Sequence, residues 1–158
     1  MAPPATVHAS AVLVGARAVL IRGLSGSGKS QLALDLIATA RAGVFRFARL
    51  VGDDRVHLEP INGRLLVRPA AALMGLVEVR GVGLFRLAYE PCAVVGLVVD
   101  LAAGDAERLP QPDGQITEIA GISLPRLAVA ARVPALPAVL ALLTSGSAAN
   151  LSAPTADA

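Results

Sequence analysis

The sequence predicts an α/β domain, a strand-rich mixed sheet with one helix set directly behind a glycine loop. Short runs of β-branched residues separated by turn residues recur along the chain. Apolar residues take up helical spacing after Lys29. Between the second strand and that helix stands Gly23-Leu-Ser-Gly-Ser-Gly28-Lys29-Ser30, a strand–loop–helix context with a known phosphate-binding physics.

The elements follow in order. Val7 to Val14 and Ala18 to Ile21 read as strands joined at Gly15-Ala16. Leu32, Ala33, Leu36, Ile37 and Ala40 fall on one helical face that ends near Gly43. Ala48 to Val51 is the next strand. Arg55 to Glu59 and Leu65 to Arg68 form a hairpin across Ile61-Asn62-Gly63, because Asn-Gly suits the two left-handed positions of a tight turn. Ala70 to Leu73 reads as a helical turn, and Leu76 to Val79, Leu84 to Leu87 and Val94 to Leu101 as further strands. Gln115 to Ile119 and Leu127 to Ala130 complete the strands, and Ala138 to Leu143 is a short helix opened by Pro137. Gly104 to Gly114 is a polar loop. One domain over 7–144 is expected, with a disordered N-terminus at 1–6 and a flexible tail at 145–158.

Composition narrows the class. The chain of 158 residues is 54% hydrophobic and 16% charged, ample for one packed core. A net charge of +2 with 3% aromatics argues against gripping nucleic acid, and the basic residues look scattered, with no basic patch. No apolar stretch is long enough to span a bilayer and no signal peptide is visible, so a soluble cytoplasmic protein is expected. The single cysteine, Cys92, precedes the apolar run from Ala93 to Val99 and is expected to be a buried core thiol.

Four motifs carry chemistry. In the loop Gly23, Leu24, Ser25, Gly26, Ser27, Gly28, Lys29, Ser30, glycines let successive backbone N–H groups turn toward phosphate. Lys29 can reach the β- and γ-phosphates of ATP, and the Ser30 hydroxyl can ligate Mg²⁺. Lys29 is the only lysine among 14 basic residues, which marks a place where a compact ammonium is needed. Asp53-Asp54 follows a strand and suits a metal-supporting acid beside a proton acceptor. Two adjacent carboxylates face opposite ways unless the chain turns there. Glu78 stands between valines in a strand, where burial would demand a cation, either a metal or Arg80. His8 lies in the first strand; alone, such a histidine is more often structural.

Together these residues resemble the catalytic domain of the HPr kinase/phosphorylase family. The resemblance runs from Val7 to about Leu143 and rests on Val7-His8, Gly23 to Ser30, Gly52-Asp53-Asp54-Arg55-Val56 and Val77-Glu78-Val79-Arg80-Gly81-Val82-Gly83. It implies a P-loop fold of the phosphoenolpyruvate-carboxykinase-like type and ATP-dependent phosphorylation of a serine on the phosphocarrier HPr. It further implies that Lys29 and the loop hold ATP, that Ser30 and Glu78 hold Mg²⁺, and that Asp53 or Asp54 is the base, with Asp53 favoured. His8 is implied near the transferred phosphate, and Arg108 resembles an arginine acting at the phosphoryl group.

The departures are informative too. Arg132-Val-Pro134-Ala-Leu-Pro137 stands where the family has a Pro-Gly-Arg-Asn-like loop tied to dephosphorylation, so the reverse reaction is not implied. The chain resembles short, catalytic-domain-only proteobacterial members, and the family hexamer makes a homo-oligomer the expectation. A small-molecule P-loop kinase and a non-catalytic ATP sensor remain the competing readings.

Overall fold

The structure is a computed structural model that describes residues 5–145. Most of both expected tails lies outside the described residues. Among the described residues ten strands and two helices follow one another: β1 Val7–Val14, β2 Arg17–Arg22, α1 Lys29–Arg41, β3 Ala48–Gly52, β4 Arg55–Ile61 and β5 Arg64–Pro69 come first. After a 3₁₀ turn at Ala71–Leu73 come β6 Leu76–Val79, β7 Gly83–Arg86 and β8 Ala93–Asp100. A second 3₁₀ turn at Pro112–Gln115 precedes β9 Ile116–Ile119, β10 Ile122–Ala128 and α2 Leu136–Thr144. The fold is therefore mixed α/β and strand-rich, as expected.

Strand pairing makes a closed circuit. β1 pairs with β2 and β4, β4 with β5, β5 with β8, and β8 returns to β2. β1 carries two neighbours on its other edge. Val7 and His8 pair with β4, while Ala11 to Val14 pair with β3, with a register shift between Ala11 and Val12. The β4–β5 hairpin turns at Asn62 and Gly63, both left-handed at φ 51° and 76°, which is what an Asn-Gly turn supplies.

Alternation along β1, β2 and β8 feeds two cores. Val12, Val19, Ile21, Leu97 and Val99 pack against Leu32, Leu36 and Ile37 of α1 and Val139 of α2. Ala9, Ala11, Ala18, Leu20, Val95 and Val98 point the other way and meet Val51, Val56, Leu65 and Val67. Strands buried on both faces read as continuous apolar runs, and that is why these three were legible.

Parallel strands β2, β8 and β10 finish together, and charges tie their ends. Arg22 donates to both oxygens of Asp100 at 2.7 and 2.9 Å, and Arg126 Nε donates to the same carboxylate at 2.6 Å. Arg126 also forks onto Asp105 at 2.7 and 2.9 Å and reaches Gly114 O at 3.1 Å. This cluster fixes the end of β2, the point where the chain enters the glycine loop.

Three expectations need correction. β10 begins at Ile122, ahead of the expected Leu127. Pro125 obscures it, because a proline inside a run argues against a strand. Here it sits where β10 changes partner, from antiparallel β9 (Ile122 to Pro125) to parallel β8 (Arg126 to Ala128). Cys92 is exposed and not a core thiol, since the buried run starts one residue later at Ala93. The basic residues are also less scattered in space than in sequence: Arg41, Arg46 and Arg49 line one cavity. Among the described residues no helix is long and apolar enough to cross a membrane.

Candidate functional site

A cleft of about 380 Å³ opens at the N-terminus of α1 and is lined by His8, Lys29, Ser30, Asp54, Glu78 and Arg80, among others. Ser25, Gly26 and Gly28 of the loop also face it. Four separate stretches of sequence therefore meet here: β1, the loop and first turn of α1, the β3–β4 turn, and the end of β6.

The loop is folded over its own lysine. Lys29 is 6% exposed, and its Nζ donates to Gly23 O at 2.8 Å and Leu24 O at 3.0 Å. Burial pushes its pKa below the usual lysine range, while the Asp54 and Asp53 charges pull it back up. Gly23 is required by crowding: a Cβ there would collide with Ser27 Oγ and lie 3.2 Å from Leu101 O. Ser27 Oγ is itself buried, with no hydrogen-bond partner among the described residues.

The two aspartates have separate environments. Asp53 is 3% exposed and does not line the cleft. Its carboxylate accepts from Ser30 Oγ at 2.8 and 2.9 Å, from Ser10 Oγ at 2.6 Å and from the Glu78 amide at 3.3 Å. Asp54 sits at the apex of a three-residue turn closed by Arg55 N–H onto Asp53 O at 2.8 Å, with φ 67°. At that turn Asp54 faces outward, its side chain 62% exposed and 2.9 Å from His8 Nε2.

Glu78 departs from expectation. It lies on β6 at the cleft but is exposed, so the argument from burial does not apply to it. Among the described residues it makes no ion pair with Arg80, which lines the same cleft. Arg108 is exposed on the loop after β8 and does not reach the cleft, so the structure does not join it to the other candidates. Ser10 was missed. Its signal was a hydroxyl two residues beyond His8 inside an apolar strand; it is fully buried against Asp53.

Chemically, the arrangement supplies a helix N-terminus and an ammonium for an anion, and oxygen donors for a hard cation. Among the described residues no group of three or more His, Cys, Asp or Glu side chains could hold a metal alone. A magnesium ion suits such a place, because it takes one or two carboxylates and leaves its remaining positions to phosphate and water.

Fold and cleft together define a mixed α/β domain with a glycine-loop site at the start of its first helix. The chain belongs to the HPr Serine kinase C-terminal domain family, whose sequence profile matches residues 1–135. It is 33% identical over 166 residues to an HPr kinase/phosphorylase of Clostridium perfringens, covering 95% of this chain and 49% of that protein. A Geobacillus thermodenitrificans HPr kinase/phosphorylase is 35% identical over 143 residues, 84% of this chain and 44% of the relative. The chain thus spans about half the length, or less, of the curated relatives it matches. The solved structure titled "Structure of the Hpr(Ser) kinase/phosphatase from Coxiella burnetii" superposes with a TM-score of 0.73 at 23% identity, over 94% of this chain and 99% of that one. That likeness establishes the fold.

Proposed function

We propose that this domain is a P-loop phosphotransferase of the phosphoenolpyruvate-carboxykinase-like type. In this reading it uses ATP and Mg²⁺ to phosphorylate a serine on an HPr-type phosphocarrier. The observation that carries the reading is the meeting, in one cleft, of Lys29, Ser30, Glu78 and the His8–Asp54 pair. The names of the relatives supply the partner. A cytoplasmic homo-oligomer that engages neither nucleic acid nor membrane belongs to the same proposal.

Bound nucleotide and metal supply the transferable phosphoryl group and the charge that offsets it. The chain's own residues then have distinct work. The Gly23–Ser30 loop and Lys29 hold the phosphates, and Lys29 exchanges its two loop carbonyls for them. Ser30 and Glu78 are the metal ligands. Asp53, filled by three hydroxyl and amide donors, orients Ser30. Asp54 is our choice of proton acceptor for the incoming serine, in place of Asp53, because it is the aspartate facing the cleft. His8 holds the Asp54 carboxylate in place. Arg80 is the guanidinium best placed to meet negative charge; Arg108 is outside the proposed set.

The test is incubation with ATP, Mg²⁺ and HPr followed by mass analysis for phosphoserine. Transfer to HPr is expected from the wild-type chain. Phosphate appearing on a metabolite with HPr untouched would replace the partner, and ATP binding without any transfer would favour the sensor.

A further inference from the structure

A second cavity, about 360 Å³, lies at the other end of α1 from the cleft. Arg41 enters it from the last turn of the helix, Arg46 from the connection that follows, and Arg49 from β3. Ile37, Leu50, Leu87 and Phe47 supply its apolar lining. The volume is that of a small-metabolite site.

Three arginines line this one concavity, and like charges brought close carry a cost in mutual repulsion unless anions offset them. One offset is internal: Arg49 pairs with Glu90 at 2.9 Å and lies over the Phe47 ring at 5.0 Å. Among the described residues Arg41 and Arg46 have no ion-pair partner. Arg41 has a local reason to be where it is, as a cation at a helix C-terminus. Arg46 has none. In a chain whose net charge is only +2, this is an uncompensated local excess. The carbonyls at the helix end do not repel an anion fully, because Ala42 and Gly43 amides cap Ala38 O and Ala40 O at 3.0 and 2.9 Å.

We infer that this cavity is a second ligand site, which takes a small oxyanion bearing phosphate or carboxylate groups. Arg41 and Arg46 grip the anionic end through paired N–H donors, which guanidinium groups present in a fixed fork. The body of the ligand packs on Phe47, Leu50 and Leu87. The inference is independent of the reading of the cleft. It does have a bearing on it, since α1 and β3 each run from this cavity to a cleft residue or its support, Lys29 and Ser30 in one case and Asp53 in the other.

Nuclear magnetic resonance of the arginine Nε–Hε groups tests the site, titrating inorganic pyrophosphate and, separately, citrate. Saturable shifts are expected at Arg41, Arg46 and Arg49, larger than those at Arg64 and Arg86, which are exposed on other elements. The double variant Arg41→Gln, Arg46→Gln alters two exposed side chains. It should weaken the response at Arg49 at least tenfold and leave any shift of the Gly23–Ser30 amides unchanged. Linear shifts equal to those at Arg64 and Arg86 for both probes would overturn the inference, as would an unaltered response at Arg49 in the double variant.

Discussion

Because Asp54 holds φ 67° at the apex of its turn, asparagine is the replacement that separates chemistry from folding. Asparagine tolerates left-handed backbone better than most residues, so Asp54→Asn should fold normally and bind ATP. If it is the proton acceptor, kcat should fall by about 10²–10⁴-fold, the usual worth of general base catalysis. Asp53→Asn should fail differently. With the orientation of Ser30 disturbed, we expect at least a tenfold loss in Mg²⁺-dependent ATP affinity, read by titration calorimetry at several metal concentrations. Equal loss of kcat in both variants with nucleotide affinity untouched would contradict this division of labour. The sequence displayed both aspartates and the need for different roles, but not which was which. That depended on a turn whose left-handed residue is an aspartate, where no glycine announces it.

At the scale of elements, the tie between the ends of β2, β8 and β10 makes a pH prediction. Burial pushes the Asp100 carboxyl up, but hydrogen bonds from Arg22 and Arg126 outweigh it and hold the pKa below the usual carboxylate value. A depressed folded-state pKa contributes stability that is present above the unfolded value, about 3.9, and is lost as pH falls through the folded one. Asp100→Asn should therefore cost about 2–4 kcal/mol at neutral pH, because it leaves two guanidinium groups partly unpaired. The difference from wild type should shrink as pH falls below about 4. Denaturant titrations at pH 7 and pH 3 measure both. The ties themselves were invisible beforehand. Asp100 sits at the end of a legible strand, but Arg126 belongs to the half of β10 that follows Pro125, and it reaches Asp100 only because β10 lies parallel to β8.

At the scale of the molecule, the two cores are two faces of the same strands. Leu36 belongs to one and Leu65 to the other, yet both rest on β1, β2, β8 and their partners. Each Leu→Ala change should cost about 2–5 kcal/mol. Each should also move one shared unfolding transition, with circular dichroism and tyrosine fluorescence coinciding. Separate transitions would mean that the faces unfold independently. The secondary structure was largely readable from local rules: β-branched runs, the Asn62-Gly63 turn, the helical spacing from Leu32 to Ile37. The circuit was not. Which strands neighbour one another, and the forking of β1 between β3 and β4, depend on pairings between residues far apart in the chain, for which local periodicity holds no information.

Lys29, the sequence's one lysine, and Cys92, its one cysteine, stand in opposite conditions, the first buried under a loop and the second open to water. The protein therefore comes with two orthogonal chemical handles already in place. A maleimide dye would attach at Cys92 alone. An amine-reactive reagent would find, apart from the α-amino group, a single ε-amine, and would reach it only in molecules whose loop had let go of it. While the loop recloses faster than the reagent reacts, the rate of that acylation reports the fraction of molecules with the loop open, and it becomes the opening rate itself only at reagent concentrations where reaction outpaces reclosing.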